Sequence, residues 1–256
     1  MPAIRRLASF AVALPLLLTP FWAHAQDTSE DWHHSVYIYA MGAAIDGKAR
    51  IGPVEVPIDL RISDVFDALE FGAMVAYRTE NDTWSFSVDA TFIGLAGSDT
   101  TEGGRLLGKL DVDQFTLMGT VGRRISENTE LLFGLAYFDL STDLRVTSTG
   151  GLPVDLAASR DVDWIDPTVG VRFNRPISDT WRLNLRGDIG GFGVGSDLMY
   201  HLLANIQWQA SEKVGMFFGY RLIDFDYEEG TSGLGGYYQR NDLTEQGPLV
   251  GVSFAF

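Results

Sequence analysis

The last nine residues put Pro248, Val250, Val252, Phe254 and Phe256 on one face of an extended strand, with glycine and serine on the other. Successive side chains of a strand point to opposite faces. One face of this strand is therefore apolar throughout, which suits a wall between hydrocarbon and a polar interior. Hydrocarbon tolerates no unpaired backbone, so strands cross it only as closed barrels. A chain ending this way is read as an outer-membrane barrel.

The same period recurs upstream. Trp84, Phe86, Val88, Ala90 and Phe92 alternate with Ser85, Ser87, Asp89, Thr91 and Ile93. Similar faces are formed by Phe71, Ala73, Val75 and Tyr77, by Trp181, Leu183, Leu185 and Ile189, and by Tyr200, Leu202, Ala204, Ile206 and Trp208. Beyond the N-terminal segment, no apolar run has the length of a transmembrane helix. A soluble sandwich would bury these faces against a second sheet; the N-terminus argues for the barrel instead.

There, Arg5 and Arg6 precede an apolar run from Leu7 to Leu18, and Ala23-His24-Ala25 is a small-residue cleavage site. Residues 1–25 are read as a secretory signal peptide and 26–256 as one barrel domain. The Arg5-Arg6 pair resembles a twin-arginine signal, but its flanks fit poorly and a barrel must cross the inner membrane unfolded. General secretion fits better. The formal charge is −15, and losing Arg5 and Arg6 makes it more acidic, which argues against a nucleic-acid partner. Cysteine is absent, which excludes disulfides, thiol chemistry and a lipidated N-terminal cysteine.

Four short polar connections, at Asn81-Asp82-Thr83, Ser126-Glu127-Asn128, Ser178-Asp179-Thr180 and Ser211-Glu212-Lys213, alternate with five longer ones. Short turns belong on the periplasmic side. The longer connections, near residues 46–69, 97–109, 142–161, 191–197 and 228–242, then face outward and give about ten strands; eight or twelve also fit. The expected fold class is all-β, an antiparallel transmembrane β-barrel. Trp84, Trp181 and Trp208 flank the short turns, where an interfacial girdle belongs. In the first long loop, Val54, Val56, Ile58, Leu60 and Ile62 alternate beyond a turn at Gly52-Pro53, as in a small external hairpin. A short helix follows, with Ile62, Val65, Phe66 and Leu69 on one face, Ser63 as N-cap and Asp64 at its positive end. It either packs on the hairpin or plugs the mouth.

With Leu183, Leu185 and Ile189 outward, Arg182, Asn184, Arg186 and Asp188 point into the lumen. On the preceding strand Asp166, Thr168, Gly170, Arg172 and Asn174 point inward, and Arg172 lies at the depth of Arg186. Adjacent arginines need anions, and Asp188, Asp166 and Asp89 are within reach; Arg221 joins if Tyr220 and Leu222 face lipid. Asp89, Asp166, Arg172, Arg186, Asp188 and Arg221 are thus expected to form a lumenal charge network. It either fills a narrow interior or forms an anion-attracting constriction. Inward Gly170, Gly190, Gly215, Gly219, Gly247 and Gly251 either leave a gap or relieve crowding.

Four stretches carry a resemblance: Trp164-Ile165-Asp166-Pro167-Thr168-Val169-Gly170-Val171-Arg172, Leu185-Arg186-Gly187-Asp188-Ile189-Gly190-Gly191-Phe192-Gly193-Val194-Gly195-Ser196-Asp197, Gly219-Tyr220-Arg221 with Asp224-Phe225-Asp226-Tyr227, and Gly247-Pro248-Leu249-Val250-Gly251. Together they resemble a large family of Gram-negative outer-membrane barrel proteins, over most of residues 32–256. The resemblance implies the barrel fold and the outer membrane. It carries no activity.

Other motifs are weaker. The glycines of residues 190–195 end a strand without opening a helix, so they read as a tight hairpin at the barrel rim, closed by Asp197, and not as a nucleotide loop. Asp224-Phe225-Asp226-Tyr227-Glu228-Glu229-Gly230 alternates carboxylates but lacks the sixth-place glycine of an EF-hand, leaving a solvated acidic loop or a loose divalent-cation site. His201 has no serine at the spacing of barrel lipid hydrolases and reads as a lumenal histidine bonded to its neighbours. His33 and His34 sit at the periplasmic rim, a weak metal candidate. No catalytic residue, resident metal or cofactor is expected. The expected partners are outer-membrane lipid, lipopolysaccharide and the barrel-assembly machinery, with the protein a monomer. The preferred function is a non-enzymatic, porin-like narrow or gated small-solute channel. The alternative is a closed barrel with an envelope-structural or surface-contact role, followed by a lipid-modifying enzyme.

Overall fold

The computed structural model describes residues 31–51, 54–100, 106–148, 155–230 and 238–256. The expected leader, residues 1–25, and the turn at Gly52-Pro53 lie outside the described residues. The described elements are β1 (His33–Met41), β2 (Ala44–Ile51), β3 (Val54–Leu60), α1 (Ile62–Ala68), β4 (Leu69–Glu80), β5 (Trp84–Thr100), β6 (Leu106–Ser126), β7 (Thr129–Ser148), β8 (Asp155–Pro176), β9 (Trp181–Gly191), β10 (Leu198–Gln209), β11 (Val214–Gly230) and β12 (Tyr238–Ala255).

β4 to β12 follow one another in the sheet, and β1 pairs antiparallel with both β4 and β12. These ten strands close the expected barrel. The seam is completed by the Phe256 N–H, which donates to the His34 carbonyl at 3.0 Å. β2 runs along β12 beyond the end of β1, against Gln239 to Gln246, and β3 pairs with its far side. The first hairpin is therefore part of the wall, extending it outward.

The expected short turns join β4 to β5, β6 to β7, β8 to β9 and β10 to β11. Their polar residues act locally. Asn81 Oδ1 accepts the N–H groups of Thr83 at 2.8 Å and Trp84 at 2.7 Å. Ser178 and Ser211 accept the N–H groups of Trp181 and Val214, at 3.2 Å and 3.1 Å. A side chain that supplies the missing acceptor lets the chain reverse within a few residues. Beside these turns Trp181 and Trp208 lie 6.4 Å apart, and the Arg123 guanidinium sits 4.7 Å over the Trp84 ring.

Three expected loops are shorter than their composition suggests. β6, β7 and β8 have 21, 20 and 22 residues, whereas about 9–11 suffice to cross a bilayer. Each continues beyond the lipid, and there its polarity inverts. Near the short turns Leu131, Phe133 and Leu135 are exposed outward on β7. Farther along, Phe138 is buried inward while Asp139 and Asp143 alternate with it. β11 repeats the inversion: Phe218 and Tyr220 face out, then Ile223, Phe225 and Tyr227 are buried and Asp224, Asp226 and Glu228 take the outer face. The acidic run that reads as a loop is thus a strand. Its carboxylates face solvent, with Asp226 held by Arg240 at 2.7 Å and Asp224 by Thr244.

α1 begins two residues earlier than its composition suggests. Its N-cap is Arg61, not Ser63, and the Arg61 N–H donates to Asp64 Oδ2 at 3.0 Å. Serine loses the cap position because Asp64, three residues into the helix, already binds the capping residue's backbone. α1 touches β2, β3 and β5, with Val65 buried and Phe66 exposed. It closes the wall where β3 and β5 are not paired. Among the described residues no helix is long and apolar enough to cross a membrane.

Candidate lumenal site

Alternation along the strands turns a line of charged side chains inward at every level. Nearest the short turns, Glu130 of β7 is 5% exposed. It accepts from Arg78 Nη2 at 2.6 Å, Arg172 Nη1 at 3.1 Å and Ser85 Oγ at 2.9 Å. Glu80 takes Arg78 at 2.9 Å and Arg124 at 3.1 Å. A charge in a barrel interior is tolerable only when paired, and here Glu80 serves two arginines and Glu130 three, Arg124 lying 3.9 Å from it.

The next group is built on β9. Arg186 and Asp188 are two apart and share a face. Asp188 Oδ2 accepts from Arg186 Nε at 2.6 Å and meets His201 Nδ1 at 2.9 Å, with His201 directly opposite on β10. Arg186 also donates to Thr120 Oγ1 of β6 at 2.9 Å. Gly170 makes this possible, because a Cβ there would collide with the Asp188 carboxylate. The same holds for Gly190, Gly215, Gly219, Gly247 and Gly251, where an added Cβ would meet atoms closer than real contacts allow. These inward glycines relieve crowding; they leave no gap.

Arg221 of β11 completes the layer. Its Nη1 donates to the Tyr39 hydroxyl at 2.7 Å and lies 3.5 Å from Asp89, which in turn accepts from Tyr39 at 2.7 Å. Its Nη2 lies 3.7 Å from Met118 Sδ on β6. In a ring of ten strands β6 and β11 stand five apart, so this contact spans the full width of the barrel.

Above the charges lies an apolar cluster. Phe138, Trp164, Phe225 and Tyr227 stack on one another, joined by Met118, Met199, Ile223 and Leu243, all at most 7% exposed. Strands β6, β7, β8, β10, β11 and β12 all contribute, so the cluster occupies the interior along the arc from β6 to β12.

Of the six expected residues, Arg186 with Asp188 and Arg221 with Asp89 are in contact. Arg172 is directly opposite Arg186 in the register, yet its acid is Glu130 and not an aspartate. Among the described residues Asp166 binds no arginine. It is fully buried, accepting the Ser196 N–H at 2.6 Å, the Ser196 hydroxyl at 2.7 Å and Trp164 Nε1 at 3.1 Å. Gly195 explains the difference: its backbone passes so close that a Cβ would lie 2.6 Å from Asp166 Oδ1. The β9–β10 loop is thereby pinned to β8, with Gly191, Phe192 and Gly193 at positive φ as the hairpin requires. His34 is engaged by the Tyr77 hydroxyl at 2.8 Å and stacks on Phe256.

Sequence reasoning missed Glu130, Arg78 and Tyr39. The signal was present. Glu130 is out of phase with the lipid-facing Leu131, Phe133 and Leu135, and Arg78 is out of phase with Val75 and Tyr77.

The exposed apolar belt, the aromatic residues beside the short turns and the charged interior define a transmembrane β-barrel of the outer-membrane type. No family model matches the sequence, and no curated protein matches it. Among solved structures, the chain is similar to the outer membrane protease OmpT from Escherichia coli, with a TM-score of 0.49 and 9% identity over 91% of this chain and 99% of that one. It is also similar to Ail, the attachment invasion locus protein of Yersinia pestis, with a TM-score of 0.41 and 11% identity over 88% and 98%. At these values the likeness lends nothing to a reading of this chain's chemistry.

Proposed function

We propose that this protein is a non-enzymatic barrel of the Gram-negative outer membrane that works with its lumen closed, presenting an acidic external wall to its surroundings. The observation that carries this is the Arg221 to Met118 contact across the full diameter, capped by the aromatic cluster. Outside the lipid, Asp111 and Asp143 stand directly opposite on β6 and β7, as do Asp139 and Asp163 on β7 and β8. Like charges so placed weaken strand pairing, which supports a surface role for them. His201, 3% exposed between Asp188 and the arginines, is a poor start for an enzyme acting on lipid.

A gated small-solute channel lined by Asp89, Arg172, Arg186, Asp188 and Arg221 is the second reading. The feature favouring it is a cavity of about 100 Å³ inside the charge layer, into which Arg172, Arg186 and Arg221 project. Solute exchange by proteoliposomes tests the pair. The closed reading expects ion and small-sugar uptake equal to that of empty liposomes; uptake that changes with Arg186→Ala would replace it with the channel.

A further inference from the structure

The strand wall parts between β1 and β4. These strands pair from His33 with Glu80 up to Tyr39 with Met74. Beyond that pair β1 follows β12 to Met41, while β4 follows β5 to Leu69. α1 lies over the parting: a Cβ added to Gly42 would come 3.2 Å from Ile62 and 3.4 Å from Phe66. Between the helix and the strands is a cavity of about 100 Å³.

Its lining runs through the wall. Ala40, Phe66 and Leu69 are exposed, whereas Val65 and Met74 are buried and Met41 is half-buried. Ala40 is on the lipid-facing side of β1, two residues from exposed Ile38 and directly opposite exposed Val250. β4 has 12 residues from Leu69 to the short turn, and about 9–11 cross a bilayer, so Leu69 to Met74 lie in the external half of the crossing. The polar group on the lining is the Tyr39 hydroxyl, which Arg221 and Asp89 already engage. Tyr39 also lines the charged lumenal cavity and so stands between the two spaces.

A small apolar cavity stays dry, and walls that face a void lose dispersion contacts. Outside this one is hydrocarbon. We propose that the slot is a binding site for one acyl chain of an outer-leaflet lipid, whose end passes between α1 and β4 and stops against Tyr39. Only the hydrocarbon part enters, because no charged side chain lines the slot; the head group stays at the membrane surface. The site is independent of whether the lumen conducts.

The methionines report on it. The full barrel chain, deuterated except for 13C-methyl methionine, is folded into nanodiscs of protonated dimyristoyl phosphatidylcholine, and nuclear Overhauser cross-peaks from methionine methyls to acyl-chain protons are recorded. Met216 is opposite the lipid-facing Trp208 and should show them. Met118 and Met199, buried in the aromatic cluster, should not. The slot predicts cross-peaks at Met41 and at Met74, which faces inward with 9% of its surface accessible. A Met74 as silent as Met118 overturns the site. Cross-peaks at Met118 and Met199 as well would put lipid throughout the lumen and overturn a slot that ends at Tyr39. Gly72 lines the cavity, and a Cβ there meets nothing closer than 3.6 Å, so Gly72→Leu should fill the slot, removing the Met41 and Met74 cross-peaks while keeping those of Met216. Their survival in that variant would also count against the site. The wild-type arms decide even if the variant does not fold.

Discussion

Trp164 and Tyr227 stack with ring centroids 4.2 Å apart and planes 18° from parallel, although β8 and β11 are separated in the barrel by β9 and β10. The chord they form crosses part of the external half of the lumen, and Arg221 and Met118 meet across the barrel on the side of the short turns. Above the lipid, solvent lies outside the wall, so apolar residues gain by turning inward and acids by turning out. That reversal builds an ordinary hydrophobic core in the mouth of a membrane barrel.

Trp164→Ala should remove the centre of that core. Large aromatic truncations in packed interiors cost about 3–5 kcal/mol. The expected result is a lower urea midpoint for loss of β-structure, with the barrel still assembling because the backbone ladder is untouched. An unchanged midpoint would show that the cluster is not packed as described.

Glu130→Gln should be worse than its size suggests. It removes the charge shared by Arg78 and Arg172; Arg78 keeps Glu80, but Arg172 loses its acid, and leaving a buried arginine uncompensated costs about 3–5 kcal/mol. Restoring neutrality with Arg172→Met in the same chain should recover part of the loss. The measurement is the heat-resistant folded band for the single and double variants, and a double variant no better than Glu130→Gln would contradict the pairing.

Asp166→Asn should release the β9–β10 loop without disturbing the arginines. Asparagine keeps one accepting oxygen where aspartate uses two, and an unmet buried partner costs about 1–3 kcal/mol. Limited proteolysis should then cut within residues 192–197 faster than in wild type. Unchanged cleavage would mean that the loop is held by something other than Ser196.

The cap of α1 should be sensitive to acid. The Arg61 backbone N–H holds the Asp64 carboxyl below its ordinary value. A carboxyl depressed in the folded state adds stability that is present above its unfolded value and is lost as pH falls through the folded one. Exchange of the Val65 amide, which donates to the Arg61 carbonyl, should therefore quicken as pH drops through the carboxylate range, after correction for intrinsic rates. Asp64→Asn should remove that dependence; if it persists, another group holds the helix.

The ten-strand count and the four short turns were legible because lipid imposes strict alternation and because Asn81, Ser178 and Ser211 mark reversals chemically. The strand extensions were not, since outside the lipid the apolar phase switches faces, as at Phe138 and Phe225, and the visible residues become aspartates. The pairing of Arg186 with Asp188 follows from strand period alone. That of Arg172 with Glu130 depends on the register between β7 and β8, and the diversion of Asp166 to Ser196 depends on how closely Gly195 lets a loop approach. Neither is a property of local pattern.

Single-channel recording of the purified, folded protein in a planar bilayer tests the closed lumen most directly, with a Phe138→Ala, Trp164→Ala, Phe225→Ala triple variant beside it. The wild type is expected to be silent, while the variant, with the cluster's centre gone, shows conductance steps. Stable steps from the wild type under the same conditions would contradict the closed barrel and move the function to solute passage.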